Sequence, residues 1–162
     1  MAERKHPYSK ENFLNRKKLG DKIEAYATQK LVEAGIQAYQ PQMEDGLPTE
    51  EYTKHQIDIL ANDYVLEVKG RNVNFDSVET FPYGTIFVEG CGGFDKKVRR
   101  PDFYVNVSHK TGAIIALDVV ETFHKWTTDR VRDNDRNFSF RMYVSETKDW
   151  IDFDELVRRL SK

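Results

Sequence analysis

The stretch that decides the reading is Gln56 to Gly70, QIDILANDYVLEVKG. Asn62-Asp63 lies between two apolar, β-branched runs, which predicts a hairpin with these two as turn residues. Folded so, Ala61 meets Tyr64, Leu60 meets Val65, Ile59 meets Leu66, Asp58 meets Glu67 and Gln56 meets Lys69. Side chains alternate between faces along a strand. One face then carries Ile57, Ile59, Ala61, Tyr64, Leu66 and Val68. The other carries Asp58, Glu67 and Lys69, with Gln56 beside them. Two carboxylates directly opposite destabilise a sheet. A divalent cation between them removes that penalty.

Outward from the hairpin, the chain of 162 residues is long enough for one domain with a real core. We expect a single domain over 1–162, with a core of roughly 17–120 and a helix-strand-helix extension over 121–162. No run approaches the roughly 20 apolar residues of a membrane helix. The N-terminal MAERKHPYSKENFLNRKK is polar, without a signal-peptide core. The lone Cys91 cannot form an internal disulfide, so a cytoplasmic protein is expected.

The formal net charge of −2 excludes a uniformly basic coat for nucleic acid. Local basic groups stand out instead. Met1 to Lys30 holds eight Lys/Arg against four Asp/Glu, including Lys17 and Lys18. Lys96, Lys97, Arg99 and Arg100 form a second group. Arg130, Arg132, Arg136 and Arg141 form a third, interleaved with aspartates. Taken singly, each suits a solvated surface.

Lys17 to Ala34 reads as a helix, with Leu19, Ile23, Tyr26, Ala27, Leu31 and Ala34 as its apolar stripe and Gly35 at its C′ position. Ile36 to Pro41 reads as extended, Glu44 to Thr53 and Arg71 to Gly84 as polar loops, the second near the site. Thr85 to Val88 is a strand. Gly90 to Gly93 leads into a helix bearing the Lys/Arg cluster, closed by Pro101. Phe103 to Ser108 and Ala113 to Val119 form a second hairpin. Glu121 to Val131 reads as a helix and Phe138 to Val144 as a half-buried strand. Asp152 and Glu155 have capping-box spacing before a last helix with Phe153, Leu156, Val157 and Leu160 on one face. The order predicts an α/β or α+β domain around a mixed sheet.

The pattern [DE]-x-K occurs four times in the chain, but only Glu67 to Lys69 lies in an apolar strand with an acid on the preceding strand. Mg²⁺ takes oxygen ligands and is held by one or two carboxylates together with waters and phosphate oxygens. Asp58 and Glu67 supply such carboxylates. Lys69, on the face of Glu67, can hold an attacking water or balance charge on a phosphoryl transition state. Glu24 borders the apolar stripe of the first helix, one turn after Gly20. His6, His55, His109 and His124 have no metal-ligand spacing, although His55 starts the acid-bearing strand. No P-loop is present. Glu79 and Glu89 are acids that nothing in the sequence fixes at the site.

Together Asp58, Glu67 and Lys69, on a hairpin that follows a helix bearing Glu24, resemble the PD-(D/E)xK nuclease superfamily. Lys18, Gly20, Glu24, Leu31 and Gly35 resemble the opening of archaeal-type Holliday junction resolvases. The likeness covers roughly Lys17 to Ser108. Ile57 stands where the motif carries Pro, and Ala25 where resolvases often carry Arg; these departures bear on junction specificity more than on nuclease chemistry. The resemblance implies a restriction-endonuclease-like fold, a mixed central sheet flanked by helices. It implies Mg²⁺, with Mn²⁺ as a substitute, at Asp58, Glu67 and the Val68 carbonyl, with Lys69 as the catalytic lysine and Glu24 as an accessory acid. The expected activity is hydrolysis of DNA phosphodiester bonds, on branched DNA or in recombination, repair or phage DNA processing. Lys17, Lys18, Lys96, Lys97, Arg99 and Arg100 are candidate DNA contacts, and a homodimer with paired sites is the expected assembly. The alternative is a catalytically inactive module of the same fold that binds nucleic acid or a partner.

Overall fold

A computed structural model of the chain describes residues 10–41, 55–134 and 137–162, with side chains from residue 18 onward. The expected Glu44–Thr53 loop, Arg136 and the side chain of Lys17 lie outside the described residues. Helix α1 (Lys10–Glu33) leads to strand β1 (Ala38–Tyr39). β2 (Ile59–Ala61), β3 (Tyr64–Arg71) and β4 (Thr85–Gly90) follow, then the short α2 (Cys91–Asp95). Next come β5 (Phe103–Ser108), β6 (Ile114–Asp118) and the short α3 (Val119–Thr122). β7 (Thr127–Asp133), β8 (Phe138–Glu146), β9 (Ile151–Asp152) and α4 (Phe153–Leu160) end the chain.

The architecture is mixed α/β. A six-stranded sheet has the order β1-β2-β3-β5-β6-β9. Its β3–β5 pair is parallel and its other pairs are antiparallel, so the expected mixed sheet is present. The β2–β3 hairpin forms in the expected register, with Ile59, Leu60 and Ala61 opposite Leu66, Val65 and Tyr64. Asn62 and Asp63 both adopt positive φ, 45° and 71°, as a twist-matched two-residue hairpin turn requires. Asn62 is also a joint between elements. Its Oδ1 accepts from the Gln37 amide, and its Nδ2 donates to the Leu160 carbonyl at the end of α4.

Alternation sorts the sheet into two cores. Leu66 and Val68 of β3, Phe103, Val105 and Val107 of β5, and Ile114 and Ala116 of β6 face one side. There they bury against Ala27 and Leu31 of α1 and Leu156 and Leu160 of α4. Tyr104, Ile115 and Leu117 face the other side, against Phe75, Ile86, Val88, Phe94 and Trp150. On the first face the sheet is flanked by helices α1 and α4; the second face is covered differently. Its cover combines a separate antiparallel sheet, β4-β8-β7, with the loop after β3, α2 and Trp150. The 121–162 stretch is woven into both layers, since β8 pairs with β4, β9 pairs with β6 and α4 fills the first core.

Three further expectations change. The helix over Glu121–Val131 is only α3 and one 3₁₀ turn, and Thr127 begins a strand. The Asp118 side chain caps α3 at the Glu121 amide, a true helix start, but Trp126 then packs across Phe94 and Phe123 and stops the helix. The Lys/Arg cluster lies beyond α2, which ends at Asp95. At α4 the Asp152 carboxylate accepts from the Val78 amide instead of capping its own helix, and Glu155 pairs with Arg158 and Arg159. The Arg71–Gly84 loop is not merely polar, because Phe75 is buried and Val73, Val78 and Phe81 pack the second core.

The β5–β6 turn depends on Gly112, whose φ is +76°. The Tyr26 hydroxyl donates to its carbonyl at 2.7 Å, and an added Cβ would stand 2.6 Å from that hydroxyl oxygen. Gly112→Ala therefore combines left-handed strain with a clash against α1. We expect a loss of about 1–3 kcal/mol in urea-unfolding stability; an unchanged midpoint would show that the turn relaxes freely.

Candidate active site

On the second face of the main sheet, β6 contributes apolar side chains and β5 Tyr104, while β3 turns from the buried Val65 to charge. Its further residues on that side are Glu67, Lys69 and Arg71, by alternation with Leu66 and Val68 in the opposite core. In the parallel register Tyr104 of β5 stands beside Glu67, and Asn106 beside Lys69. The charged row of β3 is therefore set into a largely apolar layer, where charge is costly unless it is compensated.

Asp58 reaches this row by a route the hairpin pattern did not predict. The β2–β3 ladder stops at Ile59, the chain bends at Asp58, and Asp58 is not paired across from Glu67. Its carboxylate instead takes the place of a ladder partner, accepting from the Val68 amide at 2.8 Å with the residue only 6 % exposed. An extended residue turns its N–H and C=O to the same edge. The Val68 carbonyl therefore faces the edge where Asp58 stands.

Glu24 of α1 joins from the other side, sharing a hydrogen bond with Asp58 and accepting from Gln40 Nε2 at 3.2 Å. Burial raises its pKa, and that of Asp58 is pushed up to about 7 by burial and then by the neighbouring Glu24. Glu67 is likewise pushed up to about 7, by burial and then by the charge of Asp58, with Lys69 and Lys97 opposing.

Two groups that the sequence did not place complete the cluster. Lys97, expected as a candidate DNA contact in a basic surface group, has a side chain only 9 % exposed and lies 3.5 Å from both Glu67 and Glu89. Lys69 lies 3.9 Å from the same two acids. Glu89 is held by the Tyr104 hydroxyl, whose pKa is raised by burial and by that carboxylate. A register shift between Phe87 and Glu89 lets Glu89 turn to Tyr104 while Val88 stays in the core, a use bulges commonly serve beside sites. The alternation of FYVNVS and the acid ending strand β4 were the available signals for Tyr104 and Glu89. Nothing local marked Lys97.

The remaining candidates stand apart. Lys18, Lys96, Arg99 and Arg100 are exposed. Arg99 pairs with Asp102, and Arg100 stacks over Phe94 and Phe123. Arg130 lies directly opposite Arg141 on the β7–β8 ribbon. The Arg71–Gly84 loop bonds to the β5–β6 turn and to Asp152, with none of its described hydrogen bonds going to the acids.

Among the described residues, no group of three or more His, Cys, Asp or Glu is arranged to hold an ion. The donor chemistry nevertheless fits Mg²⁺, which needs only one or two protein carboxylates. Among the described residues, Lys69 and Lys97 are the cations that pair with these acids, two lysines beside Glu24, Asp58, Glu67 and Glu89.

Compared with protein-family models, with curated proteins and with solved structures, the chain gives no match. No described helix is long and apolar enough to cross a membrane. The reading of the site therefore rests on its own chemistry.

Without metal, Asp58 and Glu67 bind protons more tightly folded than unfolded, about 7 against ordinary values of 3.8 and 4.5. The folded state then holds more protons between those values, so these groups make stability fall as pH rises from about 4 to about 7. In EDTA, Glu67→Gln should flatten that fall and gain stability over wild type at pH 8 relative to pH 4. Parallel stability profiles for the two proteins would contradict the coupling.

Proposed function

We propose that the chain is a metal-dependent nuclease that hydrolyses DNA phosphodiester bonds, built on a restriction-endonuclease-like core. The observation that carries the reading is the buried Asp58 and the half-buried Glu67, gathered on one side of β3 and flanked by Lys69. A purely structural cluster has little reason to gather four acids around two lysines where water only partly reaches them, since uncompensated charge there is destabilising.

Asp58 and Glu67 would hold Mg²⁺, with the Val68 carbonyl on the same edge. The ion, when bound, lowers the pKa of a water and polarises the phosphodiester. The chain's own groups do the rest. The Val68 amide fixes the Asp58 carboxylate so that it need not reorganise. Lys69 presents an ammonium on the face of Glu67, suited to orienting a water and to stabilising charge that develops on phosphate oxygens. Glu89, held by Tyr104, keeps Lys69 and Lys97 at the rim of the acids. Glu24, held by Gln40, lies against Asp58 and offers a place for a proton. The exposed Lys18, Lys96 and Arg100 and the opposed Arg130 and Arg141 suit contacts with a phosphate backbone, which fixes position rather than sequence. Like charges directly opposite on a ribbon are unfavourable alone, and a polyanion relieves them.

Incubation of the chain with linear, circular, branched and single-stranded DNA, with Mg²⁺ and with EDTA, tests the proposal. Cleavage should require the ion. Asp58→Ala and Glu67→Ala should reduce it to background while remaining folded. Lys69→Ala should lower kcat by about 10²–10³-fold with a much smaller change in DNA affinity. No cleavage of any substrate, together with no Mg²⁺ or Mn²⁺ binding by calorimetry, would leave a binding module instead.

A further inference from the structure

The charged row of β3 does not end at Lys69. Arg71 is the next residue on the same face, roughly 6.6 Å further along the strand. While Lys69 faces Glu89 of β4, Arg71 faces Phe87, two residues back, and donates from Nη2 to its carbonyl at 2.7 Å. Arg71 thus bridges β3 to β4 one step beyond the Lys69–Glu89 ion pair.

What surrounds Arg71 is unlike the rest of the row. Its Nε is buried without a hydrogen-bond partner. No carboxylate among the described residues acts on its guanidinium, and burial alone bears on it. The residue as a whole is half-buried, and a cation partly withdrawn from water without an anion still bears part of the desolvation cost. Beside Lys69 in the register, Asn106 is fully buried with neither Nδ2 nor Oδ1 partnered, a second polar group on this face that the protein itself does not satisfy.

Arg71 opens onto a cavity of about 440 Å³ lined by Val73, Phe81, Tyr83 and Phe87. Tyr83 is 62 % exposed and Phe87 43 % exposed. Aromatic faces left open beside a guanidinium match the two halves of a nucleotide. The guanidinium fits phosphate in a bidentate fork, and the rings offer stacking for a base of any identity.

We propose that Arg71 and this aromatic cavity form a nucleotide subsite. It takes the phosphate next to the scissile one on Arg71 and stacks its base against Tyr83 or Phe87. The identity of the occupant rests on the nuclease reading; the need for an anion rests on Arg71 alone. The subsite sets the path of the strand across the acids and favours an unpaired strand, because a stacked base must leave its duplex partner.

The test is binding of a fluorescent single-stranded deoxytetranucleotide to the full chain in EDTA, beside steady-state cleavage of single-stranded DNA with Mg²⁺. Arg71→Gln and Tyr83→Ala should each weaken binding in EDTA by about tenfold. With Mg²⁺ they should raise KM more than they lower kcat. Tyr83 is exposed, so its variant reports even if Arg71→Gln folds poorly; a melting curve shows whether it does. Wild-type affinity in both folded variants overturns the subsite, and if wild type still cuts DNA the nuclease reading stands without it. Weakened binding in both variants with no cleavage by wild type supports the subsite and overturns the nuclease reading. Displacement by inorganic phosphate alone, with Tyr83→Ala silent, overturns the nucleotide assignment.

Discussion

The hydrogen bond from the Val68 amide to the Asp58 carboxylate is where hairpin and site become one object. It lets the chain bend out of β2 at Asp58 without leaving a buried strand donor unsatisfied, which would cost about 1–3 kcal/mol. It also turns a residue that would have been a ladder partner into an acid held against β3. Once Asp58 is there, Glu24 of α1 and Glu67 of β3 share its surroundings, and burial and mutual repulsion raise all three. The gathering of these acids beside Lys69 and Lys97 starts from this one backbone contact.

The second sheet supplies the other wall. β4 carries Glu89 toward Lys69 and Lys97, and β5 carries Tyr104 up to Glu89. Aromatic packing of Phe94, Phe123, Trp126 and Tyr143 holds α2 and β8 around this wall, and Lys97 follows α2. A packed layer on one side and a charged row on the other makes a rigid frame. Such a frame keeps charged groups in place without the reorganisation that water would need.

Part of this was legible in the sequence. Asn62-Asp63 fixed the hairpin because both residues tolerate positive φ, and β-branched alternation fixed which of its sides is apolar. Glu24, Asp58, Glu67 and Lys69 were legible as a set, and the structure brings them together. The bend at Asp58 was not, because alternation assumes the ladder continues. The first part of strand β7 reads in the sequence as the end of a helix over Glu121–Val131; a helix does start at Asp118, but Trp126, packed on Phe94 and Phe123, stops it. Lys97, Glu89 and Arg71 acquire meaning only through β3 and β4, which meet across two sheets, and no local pattern records that meeting.

The most direct measurement is a crystal of the chain soaked in Mn²⁺ and recorded at the manganese absorption edge. The account predicts an anomalous peak coordinated by Asp58 and Glu67, with Lys69 and Lys97 turned from those acids to make room. Well-ordered carboxylates still paired to the lysines, with no peak between them, would contradict it.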